Sequence, residues 1–303
     1  MLKYVNITGP YAYLSLNMQK PDNGILITDI TGIGSTKATI NTSEYAMLDG
    51  QAYNSARAIG RNIVLTLKPV NGLSYEDMRN TLRTVAPVKS AVTIEIITDS
   101  RSVYTTGYVE SNESSIFTAD PVSVISIICE SAYLTSNYEK DNNVIEFYGL
   151  KSTFEFPFSN PTNSKSLEFG KYNSTTTADF FYIGDVPTGI TVEVDFFGTV
   201  GGFYIWDPNS DAYVAFTNLS QLQWITGSSN FESGDHLTIS TVTGDKRATL
   251  YREGQEYDVI TLLGYYPKWI TLNTGLNRMS YYADTGTENI KISISYKTIY
   301  EGV

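Results

Sequence analysis

Residues able to do chemistry are few in this chain, and their spacing is informative. His236 is the single histidine and Cys129 the single cysteine. A Ser-His-Asp relay would have to recruit His236, which opens a strand after a Gly-Asp turn in GDHLTI, and no GxSxG elbow accompanies it. The setting predicts an exposed edge histidine. Multi-histidine metal centres are excluded by the count, and one cysteine can make neither an intrachain disulfide nor a thiolate metal site. Cys129 lies in the apolar run PVSVISIICE, which predicts a small buried side chain. In DPNSDA, Asp207, Asn209 and Asp211 have the first three spacings of a calcium loop. Position six is Ala212 instead of glycine and position twelve is Asn218 instead of glutamate, so a Pro-Asn turn is the expectation. TGIGSTK lacks the GxxxxGK[ST] spacing of a phosphate loop and reads as a turn. Nothing marks a carboxylate pair for glycoside hydrolysis. The expectation is therefore a non-enzyme with no cofactor and no metal.

Aromatic residues are the remaining candidates. In GFYIWD, Tyr204 and Trp206 share one strand face, opposite Phe203 and Ile205, and Trp224 follows in QLQWIT. Exposed rings of this kind stack on the apolar face of sugars, so Tyr204, Trp206 and Trp224 are candidate contacts to carbohydrate or to protein.

The elements that position these residues are mostly strands. Charged residues are only 17% of the chain while tyrosine occurs 23 times, a bias toward strands over charged helices. Alternation at Ile63, Leu65 and Leu67, and at Val92, Ile94 and Ile96, has the period of two of half-buried strands. PVSVISIIC is apolar on both faces, as a central strand covered on each side would be. Between the first two lies one helix. Ser74 is its N-cap, Asp77 stands three residues on, Met78, Leu82 and Val85 form its apolar stripe, and Pro87 limits it. The polar segment 34–60 lacks a sustained period and is expected to be a long arm or binding loop. Later, Phe154, Phe156 and Phe158 alternate, as do Ile190, Val192, Val194 and Phe196, and Ile290, Ile292, Ile294 and Tyr296. Leu237, Ile239 and Thr241 are expected to pair with ATLY across a two-residue Gly244-Asp245 turn. These strands predict a two-sheet antiparallel sandwich.

A chain of 303 residues suggests two domains, and the polar run TSNYEKDNN places the boundary between 1–140 and 141–303. With 21 Lys and Arg against 32 Asp and Glu, net charge −11, there is no basic stripe for a phosphate backbone. No signal-like or membrane-spanning apolar run is present, so a soluble product made in the cytoplasm without membrane insertion is expected.

Three stretches resemble the distal tail (Dit) family of long-tailed phages: GILITDITGIG; SIFTADPVSVISIICESAYL; and the series IGDVPTGITVEVDFFGTVGGFYIWD, GDHLTISTVTGDKRATL and GLNRMSYYADTGTENIKISISYKTIYEGV. The resemblance implies a mainly β, two-domain virion protein of the tail tip. Its first domain would form a homohexameric ring, with a packed helix and a long arm, and its second would be a galectin-like or carbohydrate-module-like sandwich. It further implies a ring joined to the tail tube protein on one side and the tail-associated hub or fibre protein on the other, with receptor-binding proteins docked outside. DNA would pass through without specific binding, which an acidic lining would favour. The rival reading is a carbohydrate-binding module gripping host cell-wall polysaccharide.

Overall fold

The computed structural model describes residues 1–303 except 48, 116, 117, 119, 137–143, 149, 153–169, 173–175 and 265–267. The chain divides into two compact units, Met1–Asp141 with Ile299–Val303, and Asn142–Thr298. The fold is mainly β, as expected.

The first unit contains β1 (Leu2–Thr8), β2 (Tyr13–Asn17), β3 (Ile25–Thr31), β4 (Ala38–Glu44), β5 (Gln51–Ala58), β6 (Asn62–Pro69), α1 (Tyr75–Val85), β7 (Ala91–Thr98), β8 (Ser102–Ser114), β9 (Ser123–Cys129) and β10 (Leu134–Ser136). Its main sheet is antiparallel, in the order β2-β1-β7-β8-β9-β6-β3. β10 pairs with β8 and with a terminal strand, Ile299–Tyr300. Residues 299–303, expected in the second domain, fall in the first unit through this ladder pairing. The alternating residues of β6 and β7 are buried together with Met78, Leu82 and Val85 of α1. α1 forms where its cap predicts it, with the Ser74 hydroxyl accepting from Glu76 N at 3.2 Å, a contact whose loss costs about 1 kcal/mol. Its far end is held by Asn112 Nδ2, which donates to Leu82 O and Ala86 O, each at 3.1 Å. Gly9 is needed beside it, because a Cβ there would stand 1.6 Å from the Val85 carbonyl oxygen.

Two expectations change in this unit. β9 is central, but its second face is only partly covered within the unit: Ser126 is buried there, while Ile128 and its cross-strand neighbour Tyr108 are about half exposed. The 34–60 segment is not loop but an antiparallel hairpin, β4 paired with β5, with a bulge between Asn41 and Thr42. Its ladder satisfies the backbone while both faces stay in solvent, so no hydrophobic period is imposed on the sequence.

The second unit contains β11 (Val144–Tyr148), β12 (Leu150–Ser152), β13 (Gly170–Tyr172), β14 (Thr177–Tyr182), β15 (Thr188–Phe196), β16 (Gly201–Asp207), β17 (Ala212–Phe216), α2 (Leu219–Thr226), β18 (His236–Ser240), β19 (Arg247–Arg252), β20 (Gln255–Asp258), β21 (Thr271–Leu272), β22 (Gly275–Thr285) and β23 (Ile290–Tyr296). One sheet runs β11-β23-β15-β18-β19-β20 and another β14-β22-β16-β17. Both feed one core, in which Phe196 of β15 meets Phe203 of β16 edge to face at 6.3 Å and stacks on Phe231 at 4.6 Å. Two facing antiparallel sheets with alternate residues inward are a sandwich. The Phe154, Phe156 and Phe158 alternation lies outside the described residues.

The β18–β19 turn is longer than two residues, since the ladder ends at Ser240 and Arg247. Thr241 is the cause: its buried hydroxyl accepts from Ile190 N and donates to Ile270 O, both at 2.8 Å, which draws the chain off the ladder.

Candidate functional site

Two places on the molecule are organised for contact. The first is the base of the β4–β5 hairpin. Arg61, which immediately precedes β6, is buried at 6% exposure, and a guanidinium carries five N–H donors. Nε donates to Ala132 O at 3.2 Å, Nη1 to Gly34 O at 2.8 Å and to Gly32 O, and Nη2 to Thr36 Oγ1 at 3.1 Å and to Glu301 O. All five donors are thus engaged, on three separate stretches of chain. The Thr36 hydroxyl bonds Ala132 O as well, at 2.7 Å, and Val303 N donates to Ile33 O. Arg101 stacks over the Tyr300 ring at 4.3 Å, keeping the terminal strand in place. Burial pulls the Arg61 guanidinium below its usual value. TGIGSTK is therefore the anchored base of the hairpin, and Gly32 takes a positive φ of 82° there. A cavity of about 490 Å³ adjoins Arg61, lined also by Lys37, Ile59 and Val64. Beyond it the hairpin exposes Ile40, Tyr45, Tyr53 and, at 96%, Met47.

The second place is the outer face of the β14-β22-β16-β17 sheet. β16 points Phe203 and Ile205 into the core and leaves Tyr204 and Trp206 partly open on the other face. Trp206 pairs across to Tyr213 of β17, and Tyr204 to Tyr282 of β22. The Tyr204 hydroxyl donates to Asp284 Oδ2 at 3.3 Å; burial first, and then Asp284, push its phenol up. Tyr204, Trp206, Tyr213, Asp211 and Lys268 line one cavity of about 400 Å³. Trp224 is not brought there. It stands on α2, 92% exposed, while Leu222 anchors that helix. Sequence reasoning missed Tyr213 and Lys268 and read Asp211 only as part of a turn. Tyr213 was legible as the outward residue of AYVAF, but Lys268 reaches the site through a tertiary contact, its carbonyl accepting from Tyr213 N at 2.9 Å.

The other sequence candidates resolve as structural. Both carboxylate oxygens of buried Asp207 serve the turn after β16, accepting from Asn209 N at 2.8 Å and Ser210 Oγ at 2.7 Å, and Asp211 takes a φ of 53°. His236 is not on an edge: β18 lies between β15 and β19. Its Nδ1 stands 2.7 Å from Asp195 Oδ1 across the ladder, and Thr238 Oγ1 lies 3.4 Å from Nε2 on the same strand. This is a cross-strand pair on a sheet face. Cys129 is buried, and burial pushes its thiol up, away from the thiolate a nucleophile requires.

No protein-family model and no curated protein matches the chain. Among solved structures, it is similar to the crystal structure of the Dit protein of phage SPP1, described as a paradigm of hub adsorption apparatus in phages infecting Gram-positive bacteria. The TM-score is 0.61 at 11% identity, over 97% of this chain and 99% of that one. It also aligns with a chain of the phage P2 baseplate in its activated conformation with calcium, at a TM-score of 0.47 and 11% identity over the full length of both. The SPP1 likeness shows the fold: this chain has the mainly β fold of a Dit protein.

Proposed function

We propose that this chain is a structural protein of the phage tail tip, a hub subunit that works by self-assembly and docking and breaks no bonds. The observation that carries the reading is the fold likeness to the SPP1 hub protein, which runs through both units and not through one alone. The assembly would be a homohexameric ring of first units joining the tail tube protein to the hub or fibre protein. The second units would offer surface for receptor-binding proteins, and the virion would be its location. A ring needs each subunit to present two different patches to its neighbours. The arm, with its exposed Ile40, Tyr45, Met47 and Tyr53, and the open Tyr108 and Ile128 on the main sheet supply apolar area suited to a second copy. A net charge of −11 suits a conduit that must not hold DNA.

The purified chain should run at the mass of a hexamer and give an annulus with peripheral lobes by electron microscopy. Replacing the arm tip, 45–50, by a short glycine-serine turn should shift it to smaller species. A strict monomer at high concentration, with no affinity for any virion component, would overturn the proposal.

A further inference from the structure

We infer that the cavity at Tyr204, Trp206 and Tyr213 is a binding subsite for a single neutral pyranose ring. The lining decides the class of ligand. Among the described residues it consists of three aromatic side chains with one carboxylate, Asp211, and one ammonium, Lys268, and none of these described residues is aliphatic. A peptide anchor would call for aliphatic walls, whereas a sugar offers an apolar C–H face to rings and hydroxyl groups to charged rims. Asp211 can accept from two neighbouring hydroxyls, and Lys268 can donate to a ring or hydroxyl oxygen. A volume of about 400 Å³ suits one ring with its substituents.

The framework is rigid where it must be. Trp206 and Tyr213 are directly opposed in the β16–β17 ladder. The turn between them is tied down by both oxygens of Asp207, and Asp211 at its end lines the cavity. The bond from Tyr213 N to Lys268 O fixes the lysine backbone alongside. Binding geometry held by ladder and turn costs little ordering when a ligand arrives. Charge selects against acidic sugars, because Asp211 and the nearby Asp284, bonded to Tyr204, outnumber the one amine. One such site is weak, and copies on an assembly would add by avidity.

The test uses the full chain labelled with fluorotryptophan. Its three tryptophans, Trp206, Trp224 and Trp269, are assigned by Trp→Phe variants. Methyl β-D-glucopyranoside and methyl β-D-galactopyranoside are titrated in, with glucuronate as the acidic counterpart. The Trp206 resonance should move saturably with at least one neutral pyranoside while Trp224 and Trp269 hold still. Asp211→Asn and Tyr213→Ala should each weaken that response about tenfold, and glucuronate should bind less well than the neutral sugars. An unchanged Trp269 resonance in each variant shows that the sandwich is intact. A Trp206 resonance unmoved by both pyranosides, all three resonances drifting together without saturation, or tighter binding of glucuronate would overturn the inference. Assembly mass reports the hub proposal and the Trp206 resonance reports this one, so either can fail alone.

Discussion

Each unit is pinned by a buried arginine, and the two pins are of different kinds. In the first unit Arg61 meets no carboxylate among the described residues: its partners there are four carbonyl oxygens and one hydroxyl, drawn from residues 32–36, from residue 132 and from residue 301, just past the terminal strand. In the second, Arg252 meets Asp235, with Nε donating to Oδ1 at 2.8 Å. The side chains of that pair are only 10% and 2% exposed. The guanidinium also donates to Thr226 Oγ1 and Asn230 O, each at 2.9 Å. Burial pulls Arg61 down, while the hydrogen bonds that Arg252 donates to Asp235 push Arg252 up. A charge balanced by a charge fastens a local loop, 226–235, into a sandwich. A charge balanced by dipoles joins stretches far apart in sequence, which is what the anchored base of a hairpin needs.

The sharpest break should come at the ion pair. Arg252→Met leaves the Asp235 carboxylate buried and unpaired, and it should lower stability by about 3–5 kcal/mol, read from urea unfolding of the second-unit transition. Adding Asp235→Asn should recover a large part of that loss, because the stranded charge is gone. If the double variant were as unstable as the single one, the pin would be packing and not charge.

Arg61→Met should cost less, about 2 kcal/mol. The carbonyls it leaves behind are neutral, and water can reach them through the adjoining cavity. The damage should be local. Hydrogen exchange should speed up in β4, β5 and the Ile299–Tyr300 strand, with β7 and β8 little affected. Arg61→Lys should not rescue it, since an ammonium has three donors and cannot span five acceptors. Here no single companion substitution restores stability, in contrast to Arg252. A partner change that did so would erase the distinction between the two pins.

How much of this was legible depended on whether burial left a period in the sequence. Ile63, Leu65 and Leu67, the α1 stripe and Ile290, Ile292 and Ile294 were legible because each buries one face. The β4–β5 hairpin buries neither and passed for a loop. Arg61 had no signature, because carbonyl oxygens are offered by any residue type. Tyr204 and Trp206 were found as an outward pair. Trp224, the third candidate contact, belongs to another element: QLQWIT is helical and turns its tryptophan to solvent.

A third arginine supplies the exposed control. Arg278 grips Asp179 across the β22–β14 ladder with Nε–Oδ1 at 2.6 Å and Nη2–Oδ2 at 2.7 Å, a fork as well formed as any buried one, but both side chains are open to solvent. The hydrogen bonds from Arg278 hold the Asp179 carboxyl below the usual carboxylate range. A depressed folded value means the pair helps the fold above the unfolded carboxyl value and ceases to help as pH falls through the folded one. Arg278→Gln should therefore raise the Asp179 value toward the ordinary range, followed by carboxyl-carbon NMR, with little change in the neutral-pH urea midpoint because solvent screens the pair. A midpoint shift as large as that of Arg252→Met would mean that geometry, and not burial, sets the strength of these pins.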